Sequence, residues 1–303
     1  MKFSEILIIS LFIVEVLCDP VDFNTCGQRI AFQGTAYGGE RSSPGEWPWL
    51  VALVINPEFS FFCGGNLISE KHVLSAAHCF HDKKSTEILQ PVNVSAIVGK
   101  HDLSVDNEVG SKRHSILDII IHQDWNQNET SYDADISLLF LFESVTFNDN
   151  VKPICLPEPS IEDVVGNGSV VGWGYSEHSK IEADKLPNKI VVPSVSPTQC
   201  FLKFPALANV ASFRTFCGGY ENLERGPCLG DSGGGFYLRD SSHWAIRGIV
   251  SSSLMDHDKG GCDVNKYSIY TNVGKFVYWI RNLMEDGRNV AINYVRFQCL
   301  KGM

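Results

Sequence analysis

"GPCLGDSGGGF", residues 226–236, sets one serine, Ser232, between Gly230 and the run Gly233, Gly234 and Gly235. Glycine reaches backbone conformations that a side chain forbids. Main-chain N–H groups beside such a serine can therefore turn toward a negative charge developing on a substrate oxygen. A serine hydroxyl is a weak nucleophile until a neighbouring base takes its proton. The stretch thus calls for a histidine and a carboxylate elsewhere in the chain.

Two other segments supply them. "LSAAHCF" (74–80) contains His78, and "DADISLLFL" (133–141) places Asp135 at the entrance of an apolar run. A histidine in reach of the serine can accept its proton, and a buried carboxylate fixes the imidazole tautomer and stabilises its charged form. Alone, a histidine beside a cysteine reads as packing, and an aspartate before a strand reads as a cap. The order His, Asp, Ser, with successive members 57 and 97 positions apart, gives them weight together.

With these motifs the chain resembles the chymotrypsin-like serine proteases, over roughly residues 35–285. The resemblance extends through "SPGEWPWLVAL" (43–53), "FCGGNLISEKHVLSAAHC" (62–79), "VKPICLP" (151–157), "VVGWG" (170–174) and "IYTNVGKFVYWI" (269–280). Within the family, GEWPW and GDSGGG are nearest to arthropod secreted proteases of the gastrulation-defective and modular types. The resemblance implies an all-β fold: two packed six-stranded antiparallel β-barrels with a C-terminal helix. It implies a catalytic triad of His78, Asp135 and Ser232, and an oxyanion hole made by the N–H groups of Gly230 and Ser232. It implies the disulfides Cys26–Cys155, Cys63–Cys79, Cys200–Cys217 and Cys228–Cys262.

The residue patterns agree with an all-β body. Short apolar runs, including Trp49–Ile55, His72–Ser75, Val92–Val98, Ile116–Ile121, Ile136–Leu141, Ser169–Trp173, Trp244–Val250 and Tyr267–Tyr270, are separated by turn residues. Val273, Phe276, Val277, Ile280 and Leu283 recur at helical spacing.

The N-terminus reads as a signal peptide over 1–18, with one lysine ahead of an apolar run too short to span a membrane. A short pro-segment over 19–35, tethered by disulfide, a protease domain over 36–285 and a tail over 286–303 follow. Sequons at Asn93, Asn128 and Asn167 accord with a secretory route, so the expected location is extracellular. With 25 basic and 35 acidic residues and no basic run, a nucleic-acid partner is not expected, nor is a membrane. Removal of Cys18 leaves nine cysteines. Eight of them alone allow 105 pairings, so their connectivity rests on the resemblance. Cys299 is left over, either as a free or capped thiol or as an intermolecular disulfide.

Several positions depart from the family. In relatives, a freed N-terminal ammonium pairs with the aspartate before the nucleophile, here Asp231. The matching new terminus falls at Ala36, preceded by Thr35; the nearest basic residue is Arg29. Processing is expected between Arg29 and Ala36. Trypsin-like relatives carry an aspartate where Gly226 stands, and the pocket walls here read Ser251, Ser253 and Ser268. The pocket lacks a counter-charge for lysine or arginine, and a small or medium uncharged side chain fits it better. Relatives that bind calcium use a carboxylate where Lys100 stands, so neither metal nor cofactor is expected. The expected function is a secreted serine endopeptidase made as a zymogen, with a protein or peptide substrate and a protease inhibitor as a candidate partner. The alternative is a protease-fold regulator with little activity in an extracellular cascade.

Overall fold

The computed structural model describes residues 26–29, 40–81, 87–126, 131–160, 163–174, 184–221, 226–228, 230–240, 242–256 and 261–286. The signal peptide, Ala36, Asn128 and Cys299 lie outside them. A two-residue strand, β1 (Glu40–Arg41), precedes two barrels.

The first barrel contains β2 (Leu50–Ile55), β3 (Ser60–Leu67), β4 (His72–Ser75), β5 (Val94–Val98), β6 (Lys112–Ile121) and β7 (Ser137–Leu141). They close in the order β2-β3-β4-β7-β6-β5. The second contains β8 (Asn167–Gly172), β9 (Asn188–Val195), β10 (Thr215–Gly218), β11 (Gly235–Asp240) and β12 (His243–Ser253). A small hairpin, β13 (Met255–Asp256) with β14 (Gly261–Cys262), leads to the sixth strand, β15 (Ser268–Asn272). These close as β8-β9-β10-β15-β12-β11, with β11 returning to β8 and β1 added on the outside of β9. Every strand pair is antiparallel, so the fold is the expected pair of six-stranded barrels.

Sequence pattern and barrel geometry agree strand by strand. In β6, His114 and Ile116 are buried between exposed neighbours, the period-two signature of one inward face. In β2 the whole run Leu50–Val54 is buried. Trp49 lies edge-on to Tyr237 of β11, with ring centroids 5.6 Å apart, so this region of the first barrel also packs on the second. Trp47 stacks on Tyr237, and Trp244 meets Trp47 edge-on at 5.2 Å.

Strands β3, β10 and β11 were not among the expected runs; in β3 and β11, Gly64, Gly65 and Gly235 read as turn signals. In the fold they mark close backbone approach. A Cβ on Gly64 would lie 3.1 Å from Gly234 N, and Gly64 N–H donates to Ser232 O across the barrels at 2.8 Å. A short helix, α1 (Pro197–Lys203), also went unanticipated, although Ser196 caps it and Pro197 stands in its first turn. The C-terminal helix, α2, covers 277–286 and buries Val277 and Ile280. Before it, Val273–Lys275 form a 3₁₀ turn capped by the Asn272 side chain.

All four expected disulfides are present, including Cys26–Cys155 across 129 residues. Residues around Cys26 add main-chain bonds: Gly27 N–H to Pro153 O at 2.8 Å, and Trp244 N–H to Gly27 O at 3.0 Å. The Arg29 guanidinium sits 4.5 Å from the ring centroids of both Trp47 and Trp244, and 3.7 Å from Glu46 Oε1.

Candidate active site

His78 lies on a one-turn 3₁₀ helix (Ala77–Phe80) that follows β4 and is pinned by Cys63–Cys79. Asp135 stands two residues before β7 and is fully inaccessible to solvent. The two are joined twice. His78 main-chain N–H donates to Asp135 Oδ1 at 2.8 Å, and His78 Nδ1 lies 2.8 Å from Asp135 Oδ2. The carboxylate thus accepts the Nδ1–H hydrogen bond and leaves Nε2 to act toward another group. Ser251 Oγ donates to Asp135 Oδ2 at 2.6 Å, and Thr271 Oγ1 donates to its main-chain oxygen at 2.9 Å. A buried carboxylate needs such donors, because leaving it without them would carry the whole desolvation cost.

Ser232 belongs to the second barrel, on the loop entering β11. Gly230 and Gly233 have φ of +91° and +77°, so the loop needs glycine at both places. Main-chain bonds hold it: Gly233 N–H to Val250 O at 3.0 Å and Gly234 N–H to Asp231 O at 2.9 Å. Asn66 of β3, fully buried, donates to Gly233 O at 2.9 Å and accepts from Tyr237 Oη at 2.6 Å. Neither Asn66 nor Tyr237 was singled out in the sequence; a polar residue in the apolar stretch around Leu67 was the available signal. Among the described residues, the Ser232 hydroxyl makes no hydrogen bond to His78.

The Asp231 carboxyl lies under Gly172 and Gly174, where any Cβ would overlap it. It accepts from Gly174 N–H and Cys228 N–H, each at 3.0 Å. The residue as a whole keeps some exposure, but its carboxyl is enclosed, and burial raises its pKa from 3.8 to about 6.

The four expected pocket residues divide. Ser251 directs its hydroxyl to Asp135, a role the sequence reading did not assign to it. Ser253 Oγ lies 2.9 Å from Ser268 Oγ and 3.3 Å from Pro227 O, so these hydroxyls join β12, β15 and the 226–228 segment. Gly226 faces Val264, where an added Cβ would make ordinary contact. Asn93 and Asn167 are exposed.

Cys63, His78 and Cys79 bring ligand-type atoms within 4.8 Å of one another, but the two sulfurs are bonded to each other. In the loop after Gly99, Lys100 is buried. Its ammonium donates to Val105 O and lies 3.7 Å from Glu108 Oε2. Glu108 in turn accepts from the N–H groups of His101 and Asp102 at 2.8 and 3.0 Å. An internal cation therefore already organises this loop. No helix of the described residues is long and apolar enough to cross a membrane.

A carboxylate locked onto a histidine in one barrel, and a serine among left-handed glycines in the other, are what a serine hydrolase requires. The model of the family described as "Trypsin" matches residues 36–280. Serine protease gd of Drosophila melanogaster is 34% identical over 269 residues, covering 78% of this chain and 50% of the relative. Coagulation factor IX of Cavia porcellus is 32% identical over 247 residues, covering 80% of this chain and 79% of the relative. The chain belongs to the trypsin family of serine endopeptidases. It spans about half the length of the Drosophila relative.

Proposed function

We propose that this chain is a secreted serine endopeptidase, made as a zymogen, that cleaves after small uncharged side chains. The observation that carries the catalytic reading is the pair of hydrogen bonds that joins His78 to a fully buried Asp135. In this reading, His78 Nε2 takes the proton of Ser232 Oγ as that oxygen attacks the scissile carbonyl carbon. The N–H groups of Gly230 and Ser232 stabilise the resulting oxyanion. Collapse of this intermediate, with the proton passed from His78 to the leaving amine, yields an acyl-enzyme that water hydrolyses by the same route. The His78–Ser232 contact forms as substrate binds, since catalytic hydrogen bonds commonly tighten only in the complex.

The specificity reading rests on Gly226 and on the Ser253–Ser268 pair. No carboxylate stands at residue 226 to meet a basic side chain, and the joined hydroxyls of the register partners Ser253 and Ser268 add bulk beside the 226–228 segment. The zymogen reading rests on Asp231. Its enclosed carboxyl is held by two main-chain N–H groups, and a freed ammonium would supply an opposite charge. Processing falls between Arg29 and Ala36, and the light segment stays attached through Cys26–Cys155. Arg29 itself is held between two indoles, which makes it an anchor of that segment.

A fluorophosphonate probe applied to the secreted, processed protein tests the activity. Stoichiometric labelling at Ser232 is the expected result; a processed chain that takes up no label refutes it. N-terminal sequencing of the same material locates the cut.

A further inference from the structure

The loop that carries Asp135 is gripped from the second barrel through a residue far from it in sequence. Arg214, just ahead of β10, donates from Nε to Asp133 Oδ1 at 2.9 Å and from Nη2 to Asp133 Oδ2. Its Nη1 reaches Asp124 Oδ2 at 2.7 Å. Ser212 Oγ adds a bond to Asp133 Oδ1 at 2.6 Å. The guanidinium therefore holds both carboxylates with its planar fork, a geometry lysine cannot reproduce. Its Cζ also lies 5.2 Å from the Phe276 ring centroid, near the start of α2. Burial alone would push the Asp133 carboxyl up, but its bonds to Arg214 and Ser212 hold it below the usual range.

Asp133 is two residues from Asp135, and the residue between them, Ala134, has φ of +53°. That conformation is uncommon for a residue with a Cβ and persists only where its surroundings impose it. On one side the chain is fixed by Tyr132 N–H to Val210 O at 2.8 Å; on the other, Thr271 and Ser251 hold Asp135. The main chain of Arg214 is itself tied into the barrel, because Asn272 N–H donates to its carbonyl at 2.8 Å.

We propose that Arg214 is a positioning residue for the His78–Asp135 pair: its fork on Asp133 sets the strained turn at Ala134 and hence where the Asp135 carboxylate meets His78. The proposal rests on the triad reading above. It goes beyond that reading by giving a role to a residue of the other barrel that touches neither substrate nor the reacting atoms.

The test is proton NMR of the full chain. The Nδ1 proton shared by His78 and Asp135 should resonate far downfield, assigned by its loss in His78→Ala, and its pH titration reports the pair directly. In Arg214→Gln the resonance is expected to shift or vanish and the titration midpoint to move. The rate of fluorophosphonate labelling of processed enzyme should fall about ten- to a hundred-fold, as for a small misplacement of a catalytic group. Arg214→Lys, which keeps charge without the fork, should lie between. A merely structural role would lower the folded fraction without moving the resonance of molecules that remain folded. An unchanged resonance and titration in folded Arg214→Gln overturns the proposal. If that variant does not fold, Ser212→Ala, which deletes one hydroxyl bond to Asp133, decides: a smaller shift in the same direction supports the role, and none overturns it. A wild-type chain with no such resonance overturns the pairing of His78 with Asp135, and with it any role for Arg214 in holding that pair.

Discussion

Ser253 Oγ and Ser268 Oγ lie 2.9 Å apart, a hydroxyl pair that joins β12 to β15 beside Gly226. Replacing both serines by glycine removes the pair and frees the volume that the two hydroxymethyl groups fill. The double variant is expected to gain at least tenfold in relative kcat/KM for larger uncharged side chains at the cleaved position, in line with the 1–3 kcal/mol that a methylene-sized change in a pocket is worth. A peptide-library profile reads this out. The same small-residue preference in both proteins would show that these hydroxyls do not bound the pocket.

Ser232→Ala is expected to lower kcat by about 10⁴–10⁶ while secretion and the four disulfides persist. The loop around Ser232 is built from main-chain bonds and from Asn66, not from the serine hydroxyl. Turnover at the wild-type rate would remove Ser232 from the mechanism.

Asp231 is expected to make stability depend on pH. Its folded pKa, about 6, lies above its ordinary value of 3.8. Its contribution is therefore fully present below about pH 3.8 and is lost as pH rises through 6. The shift corresponds to about 3 kcal/mol. Urea unfolding of Asp231→Asn beside the wild type is expected to show the variant gaining on the wild type by about that amount between pH 4 and 7. A pH-independent difference between the two chains would contradict the enclosed carboxyl.

Lys100 is the internal cation of the loop after Gly99. Lys100→Met keeps most of the buried stem but strands Val105 O and removes the cation beside Glu108, which keeps its bonds from the His101 and Asp102 N–H groups. A destabilisation of about 1.5–3 kcal/mol is expected, typical of a hydrogen bond to a charged group. Because the ammonium occupies the centre of this loop, a chelator should leave the wild-type melting temperature unchanged. A chelator-induced drop would reveal a bound metal that Lys100 does not replace.

Much of the candidate site was legible in the chain itself. Glycines around Ser232, a histidine beside Cys79 and an aspartate entering an apolar run are local patterns, and their order along the chain made them one reading. The apolar stripe of α2 was likewise written in short-range periodicity. Local patterns carry no record of which distant segments meet. Arg214 and Asp133 are 81 residues apart, Ser251 and Asp135 are 116 apart, and Asn66 and Gly233 are 167 apart. These contacts exist because each barrel closes on itself and then packs on the other. Period-two alternation shows that a residue faces inward but not which strand lies opposite, so the direction of the Ser251 hydroxyl and the close approach at Gly64 were decided only by barrel closure. The residues proposed as the triad were legible in the sequence; what holds His78 and Asp135 in place was decided by the tertiary structure, because a buried carboxylate must find its donors in whatever segments the fold brings beside it.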